Sequence, residues 1–429
     1  MGHVVNPDKE YRLLQKRLDR MVTGAPYSPT LMRILTLLFT PEEARFARHI
    51  PVRPTPVAQL AKKLDMPADE LDGKVTELAR RGVLLDFYHR GTRYCLLPPV
   101  VIGFYEFVFM RARDGMPMEE LAKLFHTYMY EDKSFCGAVF EGQTQIGRAL
   151  VREEALPEDD HTEILDWERA TKLVEKASAL GVSMCACRHK AMHVGAACDA
   201  PTDTCMTLNA AAATMVRNGI AREITRDEGM AILERAKDAG LAQVGDNVQK
   251  NVTYICNCCG CCCGMMNAVR KFEYHNAIVT SNWLMQVDED KCKGCGLCVE
   301  ACPVNAIALS EPAEDMPKKR HAVCDDDVCL GCGVCYSACK TGAIQMTPRE
   351  KRVFTPANTF DRIVNMALER GKLADLIFDD PENLGFRALG RMLSVLEKTP
   401  PVRAAMAVKP LRSVFLNALV GKANKHLPT

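Results

Sequence analysis

One cysteine spacing, Cys-x2-Cys-x2-Cys-x3-Cys, occurs twice and constrains this chain more than any other feature. The two copies contain Cys292, Cys295, Cys298 and Cys302, and then Cys329, Cys332, Cys335 and Cys339. Corresponding cysteines are all 37 positions apart, and Gly294 likewise has a counterpart in Gly331. Three thiolates this close in sequence can wrap around one bound group, and small glycines let backbone N–H groups approach the sulfurs. The repeat therefore predicts a duplicated unit that binds through thiolates.

The cysteine content of the whole chain favours metal ligands over disulfide bonds. The 429 residues include 21 cysteines, some of them adjacent, and the charged fraction of 25% excludes a disordered or collagen-like chain. The first residues do not resemble a signal peptide, and no apolar run reaches the roughly 18 residues of a membrane span. We therefore expect a cytoplasmic protein, and disulfide frameworks do not persist in a reducing cytosol.

The repeat resembles the run of bacterial-type ferredoxins, which carry two 4Fe–4S clusters. In that family the fourth cysteine of each run binds the cluster of the other run. The resemblance implies a first crossed set of ligands, Cys292, Cys295, Cys298 and Cys339, and a second crossed set, Cys329, Cys332, Cys335 and Cys302. Lys340 stands where the first run has Pro303, which removes no ligand but predicts a different turn.

Two further groups of cysteines precede the repeat and supply ligands for two more clusters. The first contains Cys185, Cys187, Cys198 and Cys205, and the second contains Cys256, Cys258, Cys259, Cys261, Cys262 and Cys263. We expect a third 4Fe–4S cluster on the first group and a fourth on four members of the second. Exchange of ligands between the two groups stays open, because a folded helical segment between them would bring them together.

Other interpretations of the upstream cysteines stay open as well. One is a zinc site with two histidines at helical spacing, formed by Cys185, Cys187, His189 and His193. Another follows from the Cys258-Cys259-Gly260 string, which is similar to the Cys-Cys-Gly modules of heterodisulfide reductases but has more tightly spaced cysteines. The cysteines outside every group are predicted to be packing residues, namely Cys95, Cys136 and Cys324.

Residues 56–98 predict a helix, a short turn, a second helix and a hairpin. The expected helices cover 57–64 and 68–81, and the expected strands cover 83–87 and 93–97. This order resembles a winged helix-turn-helix, which implies DNA binding, a protein contact or a purely structural role. Asp69, Glu70 and Asp72 at the start of the second helix would face phosphates unfavourably, so we favour a protein contact or a structural role over DNA binding.

The connecting segment and the tail are predicted to be mostly helical. Helices are expected over 118–130 and 164–180. After Glu397 the tail has only basic charges, and apolar residues fall at helical spacing around Leu411 and Phe415. A basic amphipathic helix of this kind would contact its own chain or another subunit, or lie at the inner face of a membrane.

The order of all these features resembles that of 4Fe–4S dicluster-domain proteins of anaerobes over residues 30–347. We predict an α+β, multidomain fold. The predicted domains are a winged-helix-like domain over 1–110, a helical connector over 111–180, a Cys-rich iron–sulfur domain over 181–285, a ferredoxin domain over 286–348 and a basic helical region over 349–429.

Electron transfer is the function that these features predict. The chain would pass single electrons between a redox partner protein and another subunit of a larger oxidoreductase complex. No Gly-x-Gly-x-x-Gly or P-loop string occurs, so we expect no flavin, NAD or nucleotide site, and we assign no catalytic residue. The alternatives are a redox-sensing winged-helix transcription regulator and a reductase that acts at an upstream cluster.

Overall fold

The described part of the chain forms two compact units. A computed structural model describes residues 7–156, 166–311, 320–378 and 389–390. The first unit holds the described residues within Met1–Phe104, Gly137–Gln143 and Ile363–Thr429, and the second holds those within Tyr105–Cys136 and Thr144–Arg362. Helices and sheets are mixed and more than one unit is present, in agreement with the α+β, multidomain class. The predicted domain boundaries and identities stay predictions.

The first unit begins with helices and continues into a helix–helix–hairpin segment. Its elements are α1 (Pro7–Asp19), α2 (Pro29–Leu38), α3 (Pro41–Ala47), β1 (Thr55–Pro56), α4 (Val57–Leu64), α5 (Ala68–Arg81), β2 (Leu85–His89) and β3 (Thr92–Leu96). Both predicted helices are confirmed, and α5 ends at Gly82, whose φ of +78° suits glycine. The first strand starts later than predicted because the amides of Val83 and Leu84 donate to the Leu78 carbonyl and cap α5.

The second unit is built around a six-stranded sheet with the order β4-β8-β9-β6-β5-β7. Its elements are α6 (Tyr105–Phe109), α7 (Met118–Tyr130), the first half of α8 (Lys133–Phe140, of which the residues from Gly137 belong to the first unit), β4 (Gly147–Ala149), α9 (Ala170–Lys176), β5 (Leu180–Ser183), α10 (Ala186–His193), β6 (Cys205–Leu208), α11 (Asn209–Arg217), β7 (Arg222–Glu223), α12 (Arg226–Asp238), β8 (Ala242–Asp246), β9 (Tyr254–Cys258), α13 (Gly264–Phe272), β10 (Trp283–Val287), α14 (Leu297–Ala301), β11 (Ile307–Leu309), β12 (Ala322–Cys324), α15 (Val334–Ala338) and β13 (Ile344–Pro348). Neighbouring strands of the large sheet are all antiparallel. The chain then forms α16 (Thr359–Glu369), which enters the first unit at Ile363, and α17 (Leu373–Ile377) within that unit.

Helices α9 and α12 pack on the large sheet through one apolar cluster. Val174 of α9 and Leu233 of α12 share this cluster with Val182 and Met206 of the strands. The predicted helix over 164–180 is wrong in its last part, since α9 ends at Lys176 and β5 follows. The apolar side chains of β5 are buried in the sheet core, and this tertiary packing outweighs their helical spacing.

The duplicated cysteine unit folds as two small antiparallel pairs, β10 with β13 and β11 with β12. Among the described residues, no helix is both long enough and apolar enough to cross a membrane. The predicted basic helix around Leu411 and Phe415 lies outside the described residues.

A buried ion pair ties the end of β8 to the start of α16 inside the second unit. Asp246 is fully buried and accepts a hydrogen bond from Arg362, which also donates to the Ile146 carbonyl at 3.0 Å. The hydroxyl of Thr253 donates to the other Asp246 oxygen at 2.7 Å. Because both charges are withdrawn from water, the removal of one would leave the other uncompensated.

We expect Asp246→Asn to destabilise the second unit by about 3–5 kcal/mol, since it leaves the Arg362 charge buried without its carboxylate. The exposed pair of Arg235 and Asp203 provides the control, and Asp203→Asn should cost less than about 1 kcal/mol. Chemical denaturation of anaerobically purified protein, followed by circular dichroism, measures both changes. Equal effects from the two substitutions would contradict the structural role of the buried pair.

Candidate metal centres

Each copy of the repeat forms a glycine-rich loop that passes close to neighbouring backbone. Gly294 and Gly331 have φ values of +62° and +67°, in the left-handed region that favours glycine. A Cβ atom at Gly294 would lie 2.5 Å from the carbonyl oxygen of Arg320, and one at Gly331 would overlap the carbonyl oxygen of Trp283. Glycine at these two positions therefore allows the cysteine-bearing loops to approach the neighbouring backbone without a steric clash.

All members of the first crossed set line one small pocket. Apolar side chains, including Leu309 and Ile344, form much of the remaining wall. The amide of Ala322 donates to the Cys292 sulfur at 3.4 Å. Burial opposes ionisation of Cys339, but hydrogen bonds from Thr341 outweigh it and lower the pKa of this thiol. Converging sulfurs, N–H donors and an apolar wall fit an anionic iron–sulfur cluster.

The second crossed set also comes together, although Cys302 belongs to the first run. Cys302 lies close enough to Cys329, Cys332 and Cys335 for electrostatic interaction with each. Its sulfur accepts a hydrogen bond from the Ala306 amide at 3.2 Å. Burial raises the pKa of Cys332 to about 12, so its thiolate needs a compensating positive charge. A metal centre supplies that charge, and the donor set therefore fits the cluster that the sequence predicts.

Cys324, predicted to be a packing residue, instead lies beside the second crossed set. It is half-buried at the end of β12, and its thiol donates a hydrogen bond to the Cys329 sulfur. This bond lowers the pKa of Cys329 to about 6. Cys324 aligns with Val287 in the other copy of the repeat, so the sequence offered no partner from which this neighbour could be predicted.

Three adjacent strands bring the upstream cysteines to one end of the large sheet. The last residue of β5, Ser183, pairs with Cys205 at the start of β6. Strand β9 runs antiparallel to β6 and ends at Cys258. In antiparallel neighbours the end of one strand lies beside the start of the next, so the chain segments around Cys185, Cys205 and Cys258 converge.

Four of these cysteines form a compact group in which each sulfur is close to the other three. This four-cysteine group contains Cys198, Cys259, Cys261 and Cys262, whose sulfurs all lie within 4.8 Å of one another. Sulfur–sulfur distances are 3.7 Å between Cys198 and Cys259, 3.6 Å between Cys261 and Cys262, and 3.9 Å between Cys198 and Cys262. In the described part of the chain, no other set of three or more metal-binding side chains is this compact.

The remaining upstream cysteines form a continuous series of thiol contacts. This six-cysteine group contains Cys185, Cys187, Cys205, Cys256, Cys258 and Cys263. Hydrogen bonds connect five of them in the order Cys187, Cys263, Cys258, Cys256 and Cys205. Cys205 and then Cys258 donate to Cys256 and lower its pKa to about 5. The group is more extended than the four-cysteine group, which fits a polynuclear centre.

Two buried cations from α10 accompany the upstream thiols. Arg188 is fully buried and donates to the Cys259 sulfur at 3.6 Å, and its Nε has no partner among the described residues. Burial alone would lower its pKa, but the thiolates of Cys185 and Cys259 outweigh burial and raise it. Lys190 is 1% exposed and lies 4.1 Å from the centre of the Tyr130 ring. Burial lowers the pKa of Lys190 to about 8, while thiolates, Cys187 foremost, raise it.

These cations were not predicted from the sequence. Arg188 directly follows Cys187, so the Cys-x-Cys-Arg string offered one signal, whereas Lys190 offered none. Burying a cation without a carboxylate is costly unless another negative group is nearby. Their positions therefore indicate that the upstream sulfurs carry negative charge in the folded protein, as metal-bound thiolates do.

The structure divides the upstream cysteines differently from their order in the sequence. Cys198, grouped in the sequence with Cys185 and Cys205, lies with Cys259 and its neighbours. Cys263, grouped with Cys262, lies instead with Cys187. The structure thus brings together members of both sequence groups, which is compatible with the exchange of ligands that the sequence left open.

The four-cysteine group lies directly against the duplicated unit. A cleft is lined by Cys198, Cys259 and Cys261 on one side and by Cys302 and Pro303 on the other. A Cβ atom at Gly260 would lie 2.6 Å from the carbonyl oxygen of Pro303. The backbones at Gly260 and Pro303 are therefore in close contact, and the four-cysteine group lies next to the second crossed set.

The two histidines of the alternative zinc site lie beside each other on α10. The Nε2 atoms of His189 and His193 are 3.2 Å apart, and His189 also contacts the Phe109 carbonyl at 2.8 Å. Neither histidine belongs to a compact group of potential ligands among the described residues. Cys95 is buried in β3, and Cys136 is buried within α8.

Comparison with known proteins identifies one part of the chain. Residues 291–354 match the family model described as a 4Fe-4S dicluster domain. Searches of curated proteins and of solved structures found no match. The matched region contains every member of both crossed sets and no cysteine of the upstream groups. The family match therefore accounts for the repeat alone. The family match and the gathered cysteines together make this an iron–sulfur protein.

Proposed function

We propose that the protein passes single electrons between a redox partner and another subunit or enzyme. The crossed placement of Cys302 and Cys339, within a region that matches a 4Fe-4S dicluster domain, is the observation that carries this proposal. Clusters bound there supply one-electron exchange and no hydride or group transfer. The residues of the chain hold those clusters, limit the access of water and balance their charge.

We assign one cluster to each crossed set and one to the six-cysteine group. Both crossed sets bring four thiols together, with N–H donors aimed at Cys292 and Cys302. The six-cysteine group offers more than enough sulfurs for a four-ligand cluster and has Lys190 beside it as a counter-charge. This proposal contains three clusters rather than the four expected from the sequence, because the four-cysteine group is more compact than the other sites.

The contacts between the groups support an electron-transfer role. Cys298 of the first crossed set lies near Cys335 of the second. The second set adjoins the four-cysteine group through the contact of Pro303 with Gly260. Arg188 then interacts with sulfurs of both upstream groups. Closely spaced centres are what the transfer of single electrons along one chain requires, and no step of substrate chemistry is needed to explain them.

An acidic surface beside the crossed sets supports docking of a basic redox partner. Glu289 and Asp290 are exposed just before Cys292, and Asp325, Asp326 and Asp327 are exposed just before Cys329. Complementary charge speeds the encounter of redox proteins and orients them, with an effect that salt weakens. We propose that the partner approaches this surface with a basic face.

For the helix–helix–hairpin segment of the first unit, we propose a protein contact and not DNA recognition. Arg93 pairs with Asp72 and Asp86, and Arg81 pairs with Glu43, so these cations are engaged within the chain. The first turn of α5 is acidic. The pairing of these cations and the acidic start of α5 therefore support a protein contact over DNA recognition.

Anaerobic purification should yield about 12 irons and about 12 acid-labile sulfides per chain, four of each for every assigned cluster. Iron and sulfide assays on the same sample provide the measurement. About 8 of each would confine the clusters to the duplicated unit, and none would refute the electron-transfer proposal.

Variants of the fourth cysteines test the crossed ligand sets. Cys302→Ala should change the same electron paramagnetic resonance signal as Cys332→Ala, because both residues belong to the second crossed set. Cys339→Ala should likewise match Cys295→Ala. The crossing would be disproved if Cys302→Ala instead changed the signal that Cys295→Ala changes. Cys95→Ala, outside every group, is the control for nonspecific loss.

The charge of Lys190 should raise the reduction potential of the centre in the six-cysteine group. Reduction adds negative charge, which a buried cation stabilises, so Lys190→Met should make that potential more negative by about 60 mV, equivalent to about 1.4 kcal/mol for one electron. A redox titration followed by electron paramagnetic resonance measures the shift. Arg222→Gln, on an exposed residue paired with Glu228, should leave the potential unchanged. No shift, or a positive one, in Lys190→Met would contradict this role.

A further inference from the structure

We propose that the four-cysteine group binds a single metal ion through four thiolates, as a tetrahedral zinc or mononuclear iron site, and holds no cluster. This inference goes beyond the electron-transfer proposal, because it concerns a different class of metal centre. It begins from the sulfur positions of Cys198, Cys259, Cys261 and Cys262.

All six pairs of sulfurs in this group lie within 4.8 Å. Three of the six separations are 3.6, 3.7 and 3.9 Å. Thiol interactions also connect the other three pairs, namely Cys259 with Cys262, Cys259 with Cys261, and Cys198 with Cys261. Four sulfurs that all lie this close to one another cannot form a square and approach a tetrahedron, which has a single centre.

The size of this tetrahedron matches one metal ion. The edge of a regular tetrahedron is about 1.63 times the distance from centre to corner, so a zinc–sulfur bond of about 2.3 Å gives sulfur–sulfur distances of about 3.8 Å. The observed distances of 3.6–3.9 Å bracket this value. In a cubane, each thiolate lies outside its own iron, so the four thiolates stand farther apart than the irons and cannot touch one another.

The crossed sets provide an internal comparison. They belong to the region that matches a dicluster domain, yet none of their cysteines forms a group of three or more within 4.8 Å, as judged over the described residues. The six-cysteine group is not that compact either. The described cysteines therefore show two kinds of sulfur spacing. Among them, only the four-cysteine group has sulfur–sulfur distances short enough for binding to one metal ion.

The surroundings of the group suit a tetrathiolate. Four thiolates on a divalent ion leave a net charge of about −2, and Arg188 donates to the Cys259 sulfur at 3.6 Å. The amide of Cys262 donates to the Cys259 sulfur, and the amide of Cys198 donates to the Cys262 sulfur. A closed set of four sulfur donors in tetrahedral geometry selects zinc or iron among the common metals.

A single ion here would fasten two loops together. Cys198 comes from the loop after α10, whereas Cys259, Cys261 and Cys262 come from the loop after β9. The second loop contains Gly260, whose carbonyl accepts a hydrogen bond from Arg270 at 2.7 Å and whose backbone meets Pro303. The ion would thus fix the part of the upstream region that touches the duplicated unit.

The test uses the full chain, purified without oxygen, and its Cys198→Ala variant. Zinc, iron and acid-labile sulfide are counted per chain. We expect Cys198→Ala to lose one equivalent of zinc, or one iron without sulfide, while the cluster iron and sulfide stay constant. Loss of about four irons together with about four sulfides would show a cubane and overturn the proposal. Loss of no metal would overturn it as well.

Cys205→Ala provides the matched control, because it removes a thiol from the neighbouring six-cysteine group. It should lower iron and sulfide together and leave the single ion in place. This pair of variants separates failure of the inference from failure of the electron-transfer proposal, which depends on the iron and sulfide of the crossed sets.

X-ray absorption of the unaltered protein decides the question if Cys198→Ala does not fold. Zinc surrounded by four sulfurs at about 2.3 Å, with no neighbouring metal, supports the proposal. For iron, a high-spin mononuclear Mössbauer signal beside those of the clusters supports it equally. Zinc bound by nitrogen or oxygen, or no mononuclear metal of either kind, refutes it.

Discussion

Mutual repulsion among gathered thiolates is the constraint on which the second unit depends. Each crossed set and each upstream group places several sulfurs together, and burial penalises the charged form of many of them, including Cys185 and Cys332. Bound metal would relieve part of this repulsion, N–H donors at Ala306 and Ala322 relieve more, and the buried cations of α10 act where the upstream groups meet. The stability of this unit would therefore depend on what it binds.

The sequence predicted the duplicated unit well because its ligands are local. Three cysteines of each run lie on one short segment that leads from a loop into α14 or α15, and the repeat itself marks the fourth. The upstream groups could not be predicted in the same way, since their membership depends on which strand ends meet in the large sheet. Cys256 and Cys258 share one face of β9 because side chains two residues apart on a strand point the same way. The intervening Asn257 instead donates to the Thr204 carbonyl at 2.9 Å.

Adjacent cysteines illustrate the limit of sequence reasoning. Cys262 and Cys263 are neighbours in the chain, yet their sulfurs belong to different groups. Cys263 is the N-cap residue of α13, and its thiol interacts with Cys187 and Cys258. Tertiary packing also explains why the helix predicted over 164–180 does not continue past Lys176. The apolar residues that follow are buried in the sheet, and this burial outweighs their helical spacing. Local sequence patterns identify the cysteines as candidate ligands, and long-range packing determines which of them lie together.

The contact between Gly260 and Pro303 has a consequence for how this chain tolerates change. A methyl group at position 260 would lie 2.6 Å from a carbonyl oxygen, which is inside van der Waals distance. The separation of the upstream region from the duplicated unit is therefore set by main-chain atoms, whose positions do not vary with side-chain rotamers. Side-chain substitutions around the cleft can alter its charge and shape without acting directly on this spacing, whereas a side chain at position 260 would clash with the Pro303 backbone.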